Sequence, residues 1–328
     1  MTTFRALRVF EEAGAFVPRL VERSIDELPA GEVLVRVQYS SLNYKDALSL
    51  TGNKGVTRKY PHTPGIDAAG VVEASSSPLY APGDKVIVTG YDLGMNTDGG
   101  YGERIRVPAG WIVPMPAVLD ARTAMALGTA GLTAALCVDS LLQVGITPSM
   151  GDVLVTGATG GVGSIAVMLL AQQGFRVVAG SGKADRRAWL EGIGAAEVIG
   201  REALQEGTNK AMLKERWAGV VDTVGGDILF NAVKSTMYGG SVACCGLTAG
   251  ANFQANVFPF ILRGVNLLGV DSVELPLEVK VQMWDILANE WPLPQLESIV
   301  EEVALADVPA HAQRILQGGV AGRIRVRL

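Results

Sequence analysis

The sequence predicts an α/β protein that consists of a β-rich N-terminal part followed by a doubly wound parallel sheet. In the N-terminal part, stretches such as Glu32–Tyr39 alternate between apolar and polar residues, which is typical of half-buried strands. From Val153 onward, short apolar runs alternate with helical segments at the spacing of βαβ units. The length of 328 residues also exceeds that of one ordinary domain and favours two.

The β-rich part is predicted to contain three clear strands and to be followed by a helix. The alternation of apolar and polar residues places the strands at 32–39, 70–74 and 84–88. An alanine- and leucine-rich stretch predicts a helix over 121–142, and Gly128-Thr129-Ala130-Gly131 predicts a break within it.

Six strands are expected in the second part, with helices between them. They lie at Val153–Thr156, Arg176–Ala179, Glu197–Ile199, Gly219–Thr223, Ser241–Cys245 and Asn266–Val270. The C-terminal residues predict helices near 277–289 and 308–317 and a strand at 323–328 that closes back onto the β-rich part. We therefore predict one domain from 1–122, completed by 295–328, and a second domain from 123–294.

Composition limits the kinds of partner and compartment. Hydrophobic residues make up 48% of the chain and charged residues 19%, which is enough apolar material for buried cores. The net charge of −5 argues against nucleic-acid or membrane partners. No apolar run is expected to approach the roughly 18 residues of a membrane span. Three cysteines, two of them adjacent at Cys244 and Cys245, favour free thiols and a cytoplasmic protein.

A glycine-rich turn predicts a dinucleotide site at the start of the second part. The pattern Ala158-x-Gly160-x-x-Gly163 follows an apolar strand and precedes an amphipathic helix, Ser164–Gln173. Glycines let the backbone approach a pyrophosphate, and the N-terminus of the helix offers free N–H groups to it. The alternative interpretation is a turn with a structural role only. The alternation of six strands with helices favours the cofactor site over this alternative.

The end of the next strand favours NADPH over NADH. An NAD site would place Asp or Glu there to bind the ribose 2′-hydroxyl, whereas this strand is followed by Ser181, Gly182 and Lys183. A hydroxyl and a lysine suit a 2′-phosphate, and Arg201 could close over the same group. The alternative interpretation is that these cations are ordinary solvated surface charges.

These features resemble the medium-chain dehydrogenase/reductase superfamily along nearly the whole chain. Supporting segments are Pro64–Val72 and Gly99–Glu103. The resemblance implies a GroES-like catalytic domain, a Rossmann domain and, through the edge at Gly269–Ser272, a homodimer. Zinc members carry cysteine near Ser41 and His-Glu where this chain has Ile66-Asp67. No cysteine precedes Cys137, so no metal site is expected.

Among the zinc-free branches, the sequence looks most like the YhdH/YhfP group, which includes acryloyl-CoA reductases. The resemblance rests on Ser41–Leu48, Thr156–Gly163, Ser181–Lys183 and Phe258–Gly264. It implies polar donors around nicotinamide and substrate from Asn43, Tyr44 and Lys45. It implies NADPH contacts from Tyr44, Thr129, Thr159, Gly160, Gly161, Val162, Ser181, Gly182, Lys183, Arg201, Leu247, Ile261 and Arg323. We expect Asp46 and Asp67 to anchor loops.

Three functions stay open at this point. The first is NADPH-dependent reduction of an activated C=C bond, acryloyl-CoA to propionyl-CoA, by hydride transfer to the β-carbon. The second is NADPH-dependent reduction of a quinone, and the third is an NADPH-binding redox sensor with little catalysis. A coenzyme A substrate requires cations for its phosphates, for which Arg263 and Arg323 are the candidates from sequence.

Overall fold

The computed structural model describes residues 2–328, which divide into two compact units. The first contains the chain up to Leu132 together with Ser272–Pro292 and Leu296–Leu328, and the second contains Thr133–Asp271 with Leu293–Gln295. The predicted domain boundary at residue 122 thus lies ten residues before the division in the structure (132 − 122). The segment 272–292, predicted to belong to the Rossmann domain, groups with the first unit.

The strands and helices of residues 2–328 are numbered in chain order. The strands are β1 (Thr3–Glu12), β2 (Ala15–Ser24), β3 (Val33–Leu42), β4 (Asp67–Ser75), β5 (Lys85–Thr89), β6 (Arg104–Val107), β7 (Ile112–Pro114), β8 (Val153–Thr156), β9 (Val177–Gly180), β10 (Glu197–Ile199), β11 (Trp217–Asp222), β12 (Thr236–Cys244), β13 (Asn266–Gly269), β14 (Val300–Ala304) and β15 (Arg323–Arg327). The helices are α1 (Tyr44–Leu50), α2 (Ala121–Gln143), α3 (Gly161–Gln172), α4 (Arg187–Gly192), α5 (Arg201–Gln205), α6 (Gly226–Ser235), α7 (Phe258–Arg263), α8 (Leu277–Asp285) and α9 (Val308–Leu316).

The first unit is built on a seven-stranded sheet. Its strands follow the order β14-β15-β3-β4-β5-β7, with β6 also paired to β3. The C-terminal strand β15 pairs antiparallel with β3, which confirms the predicted return of the chain to its first part. The sequence does not predict the hairpin of β1 and β2. Pro18 interrupts the alternation and is tolerated because β2 is an edge strand that pairs with β1 alone.

Six parallel strands form the sheet of the second unit, in the order β10-β9-β8-β11-β12-β13. The predicted doubly wound sheet is confirmed. The chain runs from β8 outward to β10 and then crosses back to β11, so the direction of winding reverses between β8 and β11. In open α/β sheets a ligand binds at the carboxyl ends of the two strands that flank such a reversal.

Helix α2 corrects one expectation from the sequence. It is 23 residues long and contains an 18-residue apolar window with a mean hydropathy of 1.6, so its length and composition alone would allow it to cross a membrane. Within that apolar window, 78% is buried inside the protein, which is typical of a core helix. The predicted break is present at Gly128, whose φ of +54° and ψ of −156° are not helical.

Candidate functional site

The glycine turn after β8 packs too closely for side chains at two positions. Gly157 has a φ of +59°, and a Cβ there would lie 2.8 Å from Val224 Cγ1. A Cβ on Gly163 would lie 2.8 Å from the Cα of Ala158. Gly160 is the N-cap of α3, so the free N–H groups of that helix face the turn. Backbone donors at a helix N-terminus suit a pyrophosphate.

A buried carboxylate fixes this turn against the neighbouring strand. The Thr156 hydroxyl donates to Asp222 Oδ1 at 2.7 Å, and the Gly225 N–H donates to Oδ2 at 2.7 Å. Asp222 is fully buried, and this burial raises its pKa. Sequence analysis missed Asp222, although an acid at the carboxyl end of β11, beside the reversal of the sheet, was a usable signal.

The four residues predicted to bind a 2′-phosphate, Ser181, Gly182, Lys183 and Arg201, meet at the end of β9. The hydroxyls of Thr159 and Ser181 are 3.4 Å apart, and the Lys183 N–H donates to Ser181 Oγ at 3.1 Å. Arg201 lies over Gly182, since a Cβ at Gly182 would be 3.0 Å from Arg201 Nη2. Burial and nearby Arg186 lower the pKa of Lys183. The donors and cations present therefore fit a phosphate group.

The remaining predicted cofactor contacts of the second unit are distributed along the same sheet. Gly161 and Val162 begin α3. Leu247 is 58% exposed and lies beside the β11 turn, where a Cβ on Gly225 would be 3.2 Å from its Cα. Ile261, on α7, is 69% exposed.

In the first unit, Asp67 is the centre of a buried polar cluster. Its carboxylate accepts hydrogen bonds from the Ser41 hydroxyl, from Asn43 Nδ2 at 2.8 Å and from the Thr129 N–H at 2.9 Å. Gly128 makes this approach possible, because a Cβ there would lie 2.5 Å from Asp67 Oδ2. Thr129 is therefore held by Asp67 through its backbone and also its hydroxyl.

Arg323 supplies the positive charge of this cluster. Its side chain is 2% exposed, with Nε donating to the Ala126 carbonyl at 3.0 Å and Nη1 to Asn43 Oδ1 at 3.2 Å. Nη2 is buried and has no hydrogen-bond partner within residues 2–328. Burial lowers the pKa of Arg323, and the charges of Asp67 and Asp46 oppose that effect.

Asp46 joins the start of α1 to the loop before β4. One oxygen accepts from the Asn43 N–H at 2.8 Å and the other from the Ile66 N–H at 2.8 Å. Burial, together with the negative charge of Asp67, raises the pKa of Asp46 to about 7. Asp46 and Asp67 thus anchor loops, in the way we expected from the sequence.

The three predicted donors have different surroundings. Asn43 is engaged by Asp67, Asp46 and Arg323, so its amide serves the buried cluster. Tyr44 is 37% exposed, and its hydroxyl makes no hydrogen bond to any residue from 2 to 328. Lys45 Nζ lies 4.0 Å from Met95 Sδ. Of the three, Asn43 is occupied by the buried cluster, whereas the Tyr44 hydroxyl and the remaining N–H groups of Lys45 are available to a ligand.

Among residues 2–328, no three His, Cys, Asp or Glu side chains are grouped so that they could hold a metal ion. His62 is buried, with Nε2 2.9 Å from the Gly94 carbonyl. His311 contacts Glu301 at 3.0 Å on the surface. Both histidines therefore have structural partners.

Comparison with known proteins settles the family. A model described as zinc-binding dehydrogenase matches residues 161–289, and one described as alcohol dehydrogenase GroES-like domain matches residues 29–117. The acrylyl-CoA reductase AcuI of Ruegeria pomeroyi is 46% identical over 316 residues, 96% of each chain. The putative quinone oxidoreductase YhfP of Bacillus subtilis is 46% identical over 328 residues, 100% of this chain and 99% of YhfP. The chain belongs to the YhdH/YhfP branch of the medium-chain dehydrogenase/reductase superfamily.

Solved structures of this branch have the same fold along the whole chain. The yhdH oxidoreductase of Salmonella enterica, solved in complex with NADP, is 42% identical with a TM-score of 0.96 and 99% coverage of both chains. The yhfP structure from B. subtilis, solved with NAD bound, has a TM-score of 0.97 and covers 100% of both chains. The expected GroES-like and Rossmann architecture of the superfamily is confirmed.

The variant Arg201→Ala tests whether the residues at the end of β9 bind the 2′-phosphate of NADPH. We expect the KM for NADPH to rise about tenfold or more, because a charge-assisted contact to the 2′-phosphate is lost. The KM for NADH, which lacks that phosphate, should stay within about twofold. Arg176→Ala is the matched control, since Arg176 pairs with Asp152 at the opposite end of the parallel strands. Equal effects on the two cofactors would contradict the assignment.

Asp46 predicts a pH-dependent contribution to stability. Its pKa is about 7 in the folded protein against 3.8 ordinarily, so protonation stabilises the folded state and this stabilisation is lost as pH rises towards 7. Asp46→Asn cannot ionise. Relative to this variant, the free energy of unfolding of the wild type should fall by about 1.4 kcal/mol per pH unit between pH 5 and 7. Urea denaturation of both proteins at pH 5 and 8 measures the difference between their free energies of unfolding. If this difference is the same at both pH values, the expectation is refuted.

Proposed function

We propose that the protein reduces the C=C bond of acryloyl-CoA to give propionyl-CoA, with NADPH as the hydride donor. The observation that carries the proposal is the 46% identity to R. pomeroyi AcuI over 96% of both chains. The free thiols of Cys137, Cys244 and Cys245 are consistent with work in the reducing cytoplasm.

The residues of the second unit fit NADPH. The glycine turn and the N-terminus of α3 suit the pyrophosphate, while Ser181, Lys183 and Arg201 suit the 2′-phosphate. No acidic side chain stands at the end of β9, where NAD-specific proteins place one. The NADP complex of the S. enterica relative supports the same choice of cofactor.

When bound, NADPH supplies the hydride that adds to the β-carbon of the thioester. Negative charge then develops on the thioester carbonyl oxygen, and a proton is required at the α-carbon. Tyr44 offers the hydroxyl that can donate to this oxygen or to the α-carbon, because nothing within residues 2–328 engages it. Asn43, Asp46 and Ile66 hold the first turn of α1 and thereby orient Tyr44.

Quinone reduction is the second candidate function. The observation in its favour is the full-length identity of 46% to B. subtilis YhfP, whose name is putative quinone oxidoreductase. Hydride transfer to a quinone also places negative charge on a carbonyl oxygen, which the Tyr44 hydroxyl could stabilise, so the choice of acceptor separates the two candidate functions.

We also propose that two copies of the chain pair through β13. This strand ends the six-stranded sheet, and an unpaired edge can add a strand from a second copy. The Val270 N–H donates to the Cys244 carbonyl at 3.0 Å, so the N–H of Gly269 points away from β12 and towards the open edge.

Oxidation of NADPH at 340 nm distinguishes the candidate functions. The wild type should turn over acryloyl-CoA with a higher kcat/KM than 1,4-benzoquinone, and NADPH should be preferred to NADH. Tyr44→Phe should lower kcat for acryloyl-CoA by about tenfold or more, because the oxygen loses its donor. Phe keeps the ring, which makes it the matched variant for packing.

Turnover of quinone alone would refute the thioester assignment and leave the cofactor assignment intact. Tight NADPH binding with no turnover of either acceptor would favour a redox sensor. Unchanged kcat in Tyr44→Phe would remove Tyr44 from the chemistry and favour water as the proton source.

Light scattering tests the assembly. The wild type should have twice the chain mass of 34.5 kDa. Gly269→Pro should shift the protein towards one chain, because proline removes an N–H on the open edge without breaking a bond to β12. A wild type of 34.5 kDa at micromolar concentration would contradict pairing through β13.

A further inference from the structure

We propose that Arg58 and Lys59, in the loop after α1, form the site that binds the phosphate groups of the coenzyme A carrier. The inference rests on the proposed function and adds to it the part of the protein that recognises the non-reacting end of the substrate. A coenzyme A thioester carries a pyrophosphate and a 3′-phosphate, which require cations at a distance from the reacting carbons.

The cations suggested by the sequence are occupied within the protein. Arg263 donates to the carbonyls of Lys234 and Leu213 at 2.8 Å each and pairs with Glu215 at 3.1 Å. Arg323 is 2% exposed and belongs to the Asp67 cluster. Neither side chain is placed to meet a phosphate from solvent, so other cations must be sought.

Arg58 and Lys59 differ from most surface arginines of the first unit in having no carboxylate partner. Both are exposed, and neither forms a salt bridge within residues 2–328. By contrast, five exposed arginines of this unit pair with acids, namely Arg5, Arg19, Arg36, Arg122 and Arg314, whereas exposed Arg327 at the C-terminal strand does not. On a protein of net charge −5, two adjacent uncompensated cations form a local site for a polyanion.

The backbone of this pair is fixed to α1 on both sides. The buried hydroxyl of Thr57 lies 2.7 Å from that of Ser49, and the Tyr60 hydroxyl donates to the Ser49 carbonyl at 2.7 Å. Arg58 and Lys59 are therefore presented by a short loop anchored at each end. Binding a phosphate there would cost less ordering of the backbone than binding in a mobile loop.

The position of the pair relative to Tyr44 suits the shape of coenzyme A. Ser49 follows Tyr44 by five residues, which is about 7.5 Å along the helix axis. The Arg58 N–H donates to Asn96 Oδ1 at 3.3 Å, and the neighbouring Met95 contacts Lys45, the residue after Tyr44. Lys45, Met95, Asn96 and Arg58 thus form a row of residues in which Lys45 touches Met95 and Asn96 touches Arg58, and the row begins next to Tyr44. The pantetheine arm separates the thioester from the phosphates and would follow that row.

Charge reversal at Arg58, tested with two thioesters, examines the proposal. For Arg58→Glu, kcat/KM for acryloyl-CoA should fall about tenfold, mainly through KM, because a phosphate would meet a carboxylate. The kcat/KM for acryloyl-pantetheine, which has no phosphate, should change by less than about twofold. Added salt should lower the kcat/KM of the wild type for acryloyl-CoA towards that of Arg58→Glu, because salt screens the attraction between the cations and the phosphates. Lys59→Glu should behave in the same way.

Lys85→Glu is the matched control for charge. Lys85 is exposed and has no salt bridge within residues 2–328, but it begins β5, whereas the loop that contains Asn96 follows the other end of that strand. The same change of two charge units at Lys85 should leave kcat/KM for both thioesters within about twofold. A loss of similar size in Lys85→Glu and Arg58→Glu would show an effect of net charge and overturn the site.

Calorimetry with coenzyme A and the NADPH-saturated protein separates this proposal from the proposed function. Arg58→Glu should weaken coenzyme A binding about tenfold even if acryloyl-CoA is not reduced. Equal loss of both thioesters in Arg58→Glu, or unchanged binding of coenzyme A, would overturn the phosphate site. Even if the phosphate site is overturned in this way, the proposed reductase function stands as long as the wild type reduces both thioesters.

Discussion

A carboxylate withdrawn from water must be surrounded by donors, and around Asp67 these come from two separate segments of the first unit, 41–43 and 128–129. Ser41 ends β3, Asn43 precedes α1 and Thr129 follows the Gly128 kink in α2. Arg323, on the C-terminal strand, adds the opposite charge. Leaving a buried donor or acceptor of this cluster unpaired costs about 1–3 kcal/mol, so these segments hold one another in place. The start of α1, and with it Tyr44, depends on this arrangement because the amide of Asn43 belongs to the cluster.

The second unit uses a buried carboxylate in a comparable way but to a different end. Asp222 accepts from Thr156 at the end of β8 and from the N–H of Gly225 after β11, which joins the two strands at the point where the sheet reverses. The glycine turn is thereby held rigid before any ligand arrives. A phosphate site built from backbone N–H groups benefits from this rigidity, because the donors need no reorganisation on binding. In both units, then, buried acids fix the backbone and side chains of the candidate site.

The sequence predicted the parallel sheet well because its signals are local. All six predicted strands of the second unit are present within a few residues of their predicted bounds, apart from β12, which begins five residues earlier (241 − 236). The Gly128 break could likewise be foreseen from composition. The hairpin of β1 and β2 could not, since its ten-residue register is satisfied by cross-strand partners that no local pattern reveals. Asn43 shows the same limit at the site: its motif marks the right place, but only the fold shows that its amide is occupied by Asp67 and Arg323.

Cations illustrate why residue type alone is a poor guide to anion binding. Arg263 and Arg323 are of the residue type expected to bind phosphate. Arg263, however, donates to backbone carbonyls, and the positive charge of Arg323 lies among buried carboxylates. An exposed guanidinium paired with a carboxylate has most of its charge cancelled, so its attraction for an incoming phosphate is weak. What distinguishes Arg58 is that it has a cationic neighbour in Lys59, no salt bridge within residues 2–328 and an anchored backbone. The anchoring comes from Asn96, which accepts from the Arg58 N–H, and from Ser49, whose carbonyl and hydroxyl hold the flanking residues Tyr60 and Thr57. Availability of charge, rather than its presence, therefore determines where a polyanionic carrier can bind.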